Sequence, residues 1–200
     1  MAKELGATKE QYARKSHVYI FKDEREWEKF LVSRGQPAWV ASLALGDELF
    51  LHVREQTGAF DSETVAHETT HAVVARIYGR RWPLWLSEGF AEYMGRASVA
   101  AQHHQHFRRN QRVLQMAELT FAQLTSTAAY PTSPAQVQQL YQSAEKFARY
   151  LLNNYPKQLF PAFVERVLAG EPVATALVAI YGNEFNDMTA FERKFARFTR

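Results

Sequence analysis

Two histidines four residues apart, with a glutamate directly after the first, stand at His67-Glu68-Thr69-Thr70-His71. On a helix, residues four apart are offset by about 40° and rise about 6 Å, so both imidazoles leave one face, one turn apart. They can reach one metal ion. Glu68 is displaced sideways from that pair, so its carboxylate clears the metal and can take a proton from a water that the metal acidifies. A catalytic zinc takes three protein ligands and keeps one position open. The third is sought nearby, and Glu88 lies seventeen residues beyond His71. A helix, a turn through Gly79 and Pro83, and a second helix packed on the first would bring it round. Glu92 is one helical turn after Glu88, on the same face. It can accept a hydrogen bond from the free ring nitrogen of a ligand histidine, His67 by preference, which fixes the tautomer and raises ligand basicity. Gly89 allows close helix approach beside the metal. Plainer readings stand next to these. The histidines can be satisfied helix residues, Glu88 a capping residue beside Ser87, and Glu92 a solvated carboxylate or salt-bridge partner.

Composition narrows the chemistry. The chain of 200 residues suits one domain, and 46% hydrophobic with 22% charged residues is the balance of a globular protein rather than a disordered one. There is no cysteine, so thiolate metal sites, disulfides and cysteine nucleophiles are excluded and any metal must be held by His and carboxylates. Net charge is +3, with the basic residues scattered. The densest run, Arg108-Arg109-Asn110-Gln111-Arg112, reads as a solvated helix face rather than a nucleic-acid patch. His103, His104 and His106 lie in the same polar stretch, with no carboxylate at ligand spacing. No apolar stretch reaches the ~18 residues of a membrane span. The N-terminal fifteen residues are polar and charged, which is not a signal peptide; a secreted or cell-envelope protein whose leader is missing from this chain stays open.

The elements that must position these residues follow from periodicity and punctuation. Residues 1–16 read as a lead-in, helical or flexible. Residues 18–21 are β-branched and aromatic and read as a strand, 23–32 as a helix with Trp27, Phe30 and Leu31 at helical spacing. Two apolar runs, 39–45 and 48–53, flank Gly46-Asp47, a tight turn in an order opposite to the favoured Asp-Gly. Asp61 or Ser62 caps the helix of the histidine motif, which ends at Tyr78 before Gly79. Ser87 caps a helix over 88–94, and a long polar helix covers 98–119. A loop over 125–134 precedes helices at 135–153, 156–169, 172–181 and 187–198. The fold expected is α+β: a small N-terminal sheet with one helix, packed on a mainly helical remainder, with a cleft between them as the place for a site. One domain over 1–200 is expected, with sheet and metal helices over about 17–95 and a helical part over about 96–200.

The histidine motif followed by Trp85-Leu86-Ser87-Glu88-Gly89-Phe90-Ala91-Glu92-Tyr93 resembles the gluzincin metallopeptidases, most of all the small bacterial peptidase MA-like domains. The stretch from Tyr141 to Leu151 is similar to their Tyr-x-x-Ser-type helix. Ala176-Leu177, Tyr181-Gly182 and Phe191-Glu192 are similar to their C-terminal helical part. The likeness is sharp over about residues 60–95 and looser over 18–55 and 135–200. It implies a zincin-like lobe, Zn²⁺ held by His67, His71 and Glu88, Glu68 as general base, and Glu92 behind the ligands. It implies an edge strand before the metal helix, here 39–45, that binds extended substrate. It also implies a downstream hydroxyl or imidazole at the oxyanion, with Tyr141 the candidate; plain helix packing serves that residue equally well. The Gly-x-Met-Glu-Asn segment of the aminopeptidases is missing, so specificity for a free N-terminus is not implied.

The function expected is hydrolysis of a peptide bond in a peptide or protein substrate. Two rivals share the same residues. One is a peptide- or cell-wall-binding module on a zincin scaffold, which would have no use for Glu68. The other is a zinc hydrolase of a non-peptide amide. Neither the specificity pocket nor the oligomeric state is written in the sequence.

Overall fold

β-branched and aromatic side chains suit a pleated, half-buried surface, and strand β1 (His17–Phe21) carries Val18, Tyr19 and Ile20. In the computed structural model, which describes residues 5, 7–8, 10, 15–53, 62–79, 81–102 and 117–198, β1 pairs in parallel with β3 (Glu48–His52). β3 pairs antiparallel with β2 (Ser42–Leu45), giving the order β1-β3-β2. Gly46-Asp47 is the two-residue turn of the β2–β3 hairpin, with Gly46 at φ 64° and no positive φ at a non-glycine among the described residues. A single positive φ at the first central position is the type II′ pattern, which wants glycine first. The order Gly-Asp is therefore the correct one for this turn.

Helix α1 (Glu24–Ser33) starts on Asp23, whose carboxylate accepts from the Glu26 N–H at 2.9 Å. Its Trp27 and Leu31 form a core with Phe50, against which Phe21, Phe30, Val40, Leu43 and Leu45 pack. The Trp27 indole N–H donates to the Val40 carbonyl at 2.9 Å, so the one polar atom of that side chain is satisfied. Strand alternation then settles the opposite face of the sheet. Leu43, Leu45 and Phe50 look toward α1, so Ser42, Ala44, Leu49 and Leu51 look the other way. There α2 (Ser62–Tyr78) packs on β2 and β3.

Residues 8–81 and 94–107 form one compact unit and residues 1–7, 82–93 and 108–200 another. The second unit is helical. Beside part of α3 (Leu84–Gln102) it contains α4 (Phe121–Ser126), α5 (Pro134–Asn154), α6 (Leu159–Leu168), α7 (Val173–Tyr181) and α8 (Met188–Arg197). α5 is its axis, burying Leu140, Ala144, Phe147, Ala148 and Leu151. Phe163 of α6 and Phe191 and Phe195 of α8 meet the Phe147 ring at 6.3, 6.1 and 5.9 Å between centroids. α4 is held by a full capping box, Thr120 with Gln123. Polar groups on α5 are paired inside this unit: the Lys146 ammonium with Glu118 at 2.7 Å, and the Ser143 hydroxyl oxygen with the Leu119 N–H at 3.0 Å.

The chain is a mixed α/β protein with three strands and eight helices among the described residues. Two expectations need correction. Ser87 is not a cap: its N–H donates to the Pro83 carbonyl at 3.0 Å, inside the first turn of α3. The helix at 88–94 and the start of the one at 98–119 are the same uninterrupted α3. Residues 117–120 are not helical, and α4 follows where no separate helix is expected. The reason for continuity is composition. Nothing between Tyr93 and Ser98 breaks a helix except Gly95, whose missing side chain is required by a neighbour instead: an added Cβ would sit 2.9 Å from the Glu63 carbonyl oxygen. Asp61, His103, His104, His106 and the run 108–112 lie outside the described residues. Among the described residues no helix is long and apolar enough to cross a membrane.

Two tyrosines of the helical unit set its alkaline behaviour. Burial, then a hydrogen bond to Tyr155, holds the Tyr150 proton well above the ordinary phenol range; burial, then Tyr155, does the same at Tyr181. The unfolded chain releases these protons near pH 10, whereas the folded chain keeps them. Above that pH the unfolded state binds fewer protons, so stability is fully present below about pH 10 and falls as pH rises through it. The Tyr181 hydroxyl has no hydrogen-bond partner among the described residues. Tyr181→Phe should therefore leave the melting midpoint at pH 7 unchanged or raise it, and should shallow the alkaline fall. A loss of more than about 1 kcal/mol at pH 7 would show that the hydroxyl is satisfied after all.

Candidate metal centre

α2 presents the histidine motif on a helix closed by Gly79, at φ 62°, whose N–H donates to the Ala75 carbonyl at 2.9 Å. Glu68, Thr70, Ala72 and Val74 are its buried residues. The hydroxyls of Thr69 and Thr70 bond back to the carbonyls of Val65 and Ala66, each at 2.7 Å, so both are satisfied within the helix. His67 and His71 turn their Nε2 atoms to one another at 3.1 Å, with ring planes at 72°. Zn–N bonds of 2.0–2.1 Å at a tetrahedral angle put two ligand nitrogens about 3.3 Å apart. The pair is already at nearly that spacing. Glu68 is 7% exposed, and its Oε1 accepts a hydrogen bond from the Ser42 hydroxyl of β2 at 2.6 Å.

Glu88 is fixed by packing of the first half of α3 on α5. The edge of Trp85 meets Phe147 at 5.2 Å and 89°, Phe90 stacks on Phe160 at 5.3 Å, and the Tyr93 hydroxyl donates to Asn153 Oδ1 at 2.9 Å. Gly89 is the point of closest approach. A Cβ there would lie 2.3 Å from the Ala144 carbonyl oxygen, so no other residue fits without displacing backbone. The close helix approach expected at Gly89 is made with α5. Glu88 itself is 3% exposed.

The Tyr130 hydroxyl donates to Glu88 Oε1 at 2.7 Å from a loop whose tyrosine ring is exposed. The Tyr141 ring lies edge-on to the Tyr130 ring at 6.5 Å. The Tyr141 hydroxyl holds its proton far above the ordinary range, first through burial, then through the charge of Glu88, then through Tyr130, with a smaller contribution from Glu92. Glu88, Tyr130, Tyr141 and Glu92 are therefore one polar cluster. Tyr141 belongs to the same cluster as Tyr130, whose hydroxyl bonds Glu88. No sequence signal points to Tyr130, since it sits between alanines and prolines with no spacing relation to Glu88.

His67, His71 and Glu88 are a group of described residues that could hold a metal ion. Two imidazoles and a carboxylate are borderline-to-hard donors of the kind that hold a divalent transition metal. The donor chemistry fits zinc without singling it out. No protein-family model matches the chain, and no curated protein matches its sequence.

Two outcomes are expected of this arrangement. Titration with zinc should reach one equivalent, and Tyr130→Phe, which frees a ligand oxygen of its hydrogen bond, should weaken binding about 10–100-fold; unchanged affinity would mean the phenol does not orient the ligand. Gly89→Ala should lower stability by about 1–3 kcal/mol or more through overpacking against Ala144. A variant melting like the parent would show that α3 and α5 can separate at no cost.

Proposed function

We propose that the protein is a zinc metallopeptidase of gluzincin type, with His67, His71 and Glu88 as ligands and Glu68 as general base. The observation that carries this is the buried Glu68 carboxylate beside two imidazole nitrogens held near zinc-ligand spacing. A helix histidine pair of purely structural use has no need of a buried acid between its members. Zinc, when bound, supplies Lewis acidity, lowering the pKa of a water and polarising a carbonyl.

The protein's own groups do the rest. Glu68 takes a proton as the water oxygen bonds to the scissile carbonyl carbon. The carbon–nitrogen bond then breaks as Glu68 hands that proton to the amine nitrogen. Tyr141 stays protonated at any working pH, so it is a competent hydrogen-bond donor for the oxyanion. Glu92 is the partner we propose for the second ring nitrogen of His67. β2, an edge of the sheet on the α2 side, is the strand assigned to hold an extended substrate. It corresponds to the later half of the expected 39–45 segment, and Trp39, 46% exposed, precedes it.

Glu68→Gln should keep one equivalent of zinc and lose about 10²–10⁴-fold in peptide hydrolysis. A chelator should abolish hydrolysis and added zinc restore it. Zinc-loaded parent protein that cleaves no member of a broad peptide library would favour the binding module. Cleavage that survives Glu68→Gln would remove Glu68 from the mechanism.

A further inference from the structure

Among the described residues, one of the two Glu68 oxygens accepts a hydrogen bond from a side-chain hydroxyl on a different element. The Ser42 Oγ–H donates to Oε1 at 2.6 Å. Ser42 is the first residue of β2, in register with Leu51 of β3. Strand alternation turns it, with Ala44, toward α2, while Leu43 and Leu45 are committed to the Trp27 core on the other face. Its place is therefore set from two sides, by the β3 ladder and by the apolar anchoring of its neighbours. Both residues that β2 shows to α2 are small. That lets the strand come close enough for a two-atom side chain to span the gap to the helix.

We propose that Ser42 is a positioning residue for the general base, fixing Glu68 Oε1 to the sheet so that Oε2 is the oxygen that exchanges protons. The inference rests on the reading of Glu68 as base. A buried carboxylate with both oxygens loose rotates about its terminal torsion, which is broad and roughly two-fold. A short hydrogen bond from a rigid strand removes that freedom. Charge-assisted bonds of this kind are the strong ones. The hydroxyl acts through Glu68, so its effect is expected in turnover rather than in binding. The hydroxyls of Thr69 and Thr70 are engaged within α2 and offer no substitute.

The test uses the zinc-loaded full chain and the variants Ser42→Ala, Ser42→Thr and Glu68→Gln. Ser42→Ala should lower kcat about tenfold, with KM and zinc content within twofold of the parent. Ser42→Thr, which restores a hydroxyl on a β-tolerant side chain, should recover most of the loss. Adding Ser42→Ala to Glu68→Gln should cost nothing further. A simple hydroxamate, which meets the metal and hydrogen-bonds the base at once, should bind Ser42→Ala more weakly than the parent by a similar factor. An unchanged kcat in Ser42→Ala, or a loss that Ser42→Thr does not recover, overturns the role of Ser42 while leaving the peptidase reading in place. A zinc-loaded parent with no hydrolysis overturns both together.

Discussion

Two imidazole nitrogens 3.1 Å apart need something to share. If both present lone pairs they repel, and if one donates to the other the pair is a local hydrogen bond with no further consequence. A cation resolves the contact for both at once, and helix geometry makes the spacing automatic for residues one turn apart. Everything else in the description bears on keeping that pair in place and giving it neighbours. α2 packs on β2 and β3, and the hydroxyls of Thr69 and Thr70 are satisfied within the helix.

The carboxylates are treated differently from one another. Glu68 is buried and tied to a strand by Ser42. Glu88 is buried and tied to a loop by Tyr130. An acid removed from water is costly unless its oxygens are hydrogen-bonded or matched by a cation. Each of these has one hydroxyl donor of its own. The same expense that makes them poor contributors to stability makes them ready partners for a metal or a proton.

Much of this was legible in the residues. The strands at 17–21, 42–45 and 48–52, helix α1 and the four C-terminal helices follow from periodicity and from Gly, Pro and Asp punctuation, and they lie within a few residues of their expected bounds. The pairing of His67 with His71 was legible because residues one helical turn apart share a face, and that spacing survives in one dimension. What was hidden has a common cause. Tyr130 reaches Glu88 across 42 positions, Ser42 reaches Glu68 across 26, and Ala144 decides Gly89, all contacts made by the fold alone. The continuity of α3 was hidden for a different reason. Ser87 has the chemistry of a cap, but Pro83, four residues earlier, already supplies the carbonyl that starts the helix.

The central claim is that two imidazoles and one carboxylate of this chain bind a single zinc ion. X-ray absorption at the zinc edge, on protein loaded with one equivalent, reads that ligand set directly. The account predicts a four-coordinate shell of light atoms at about 2.0–2.1 Å with the outer-shell pattern of two imidazoles, and loss of one imidazole in His71→Ala. An octahedral all-oxygen shell, or a two-imidazole spectrum unchanged in His71→Ala, would contradict it.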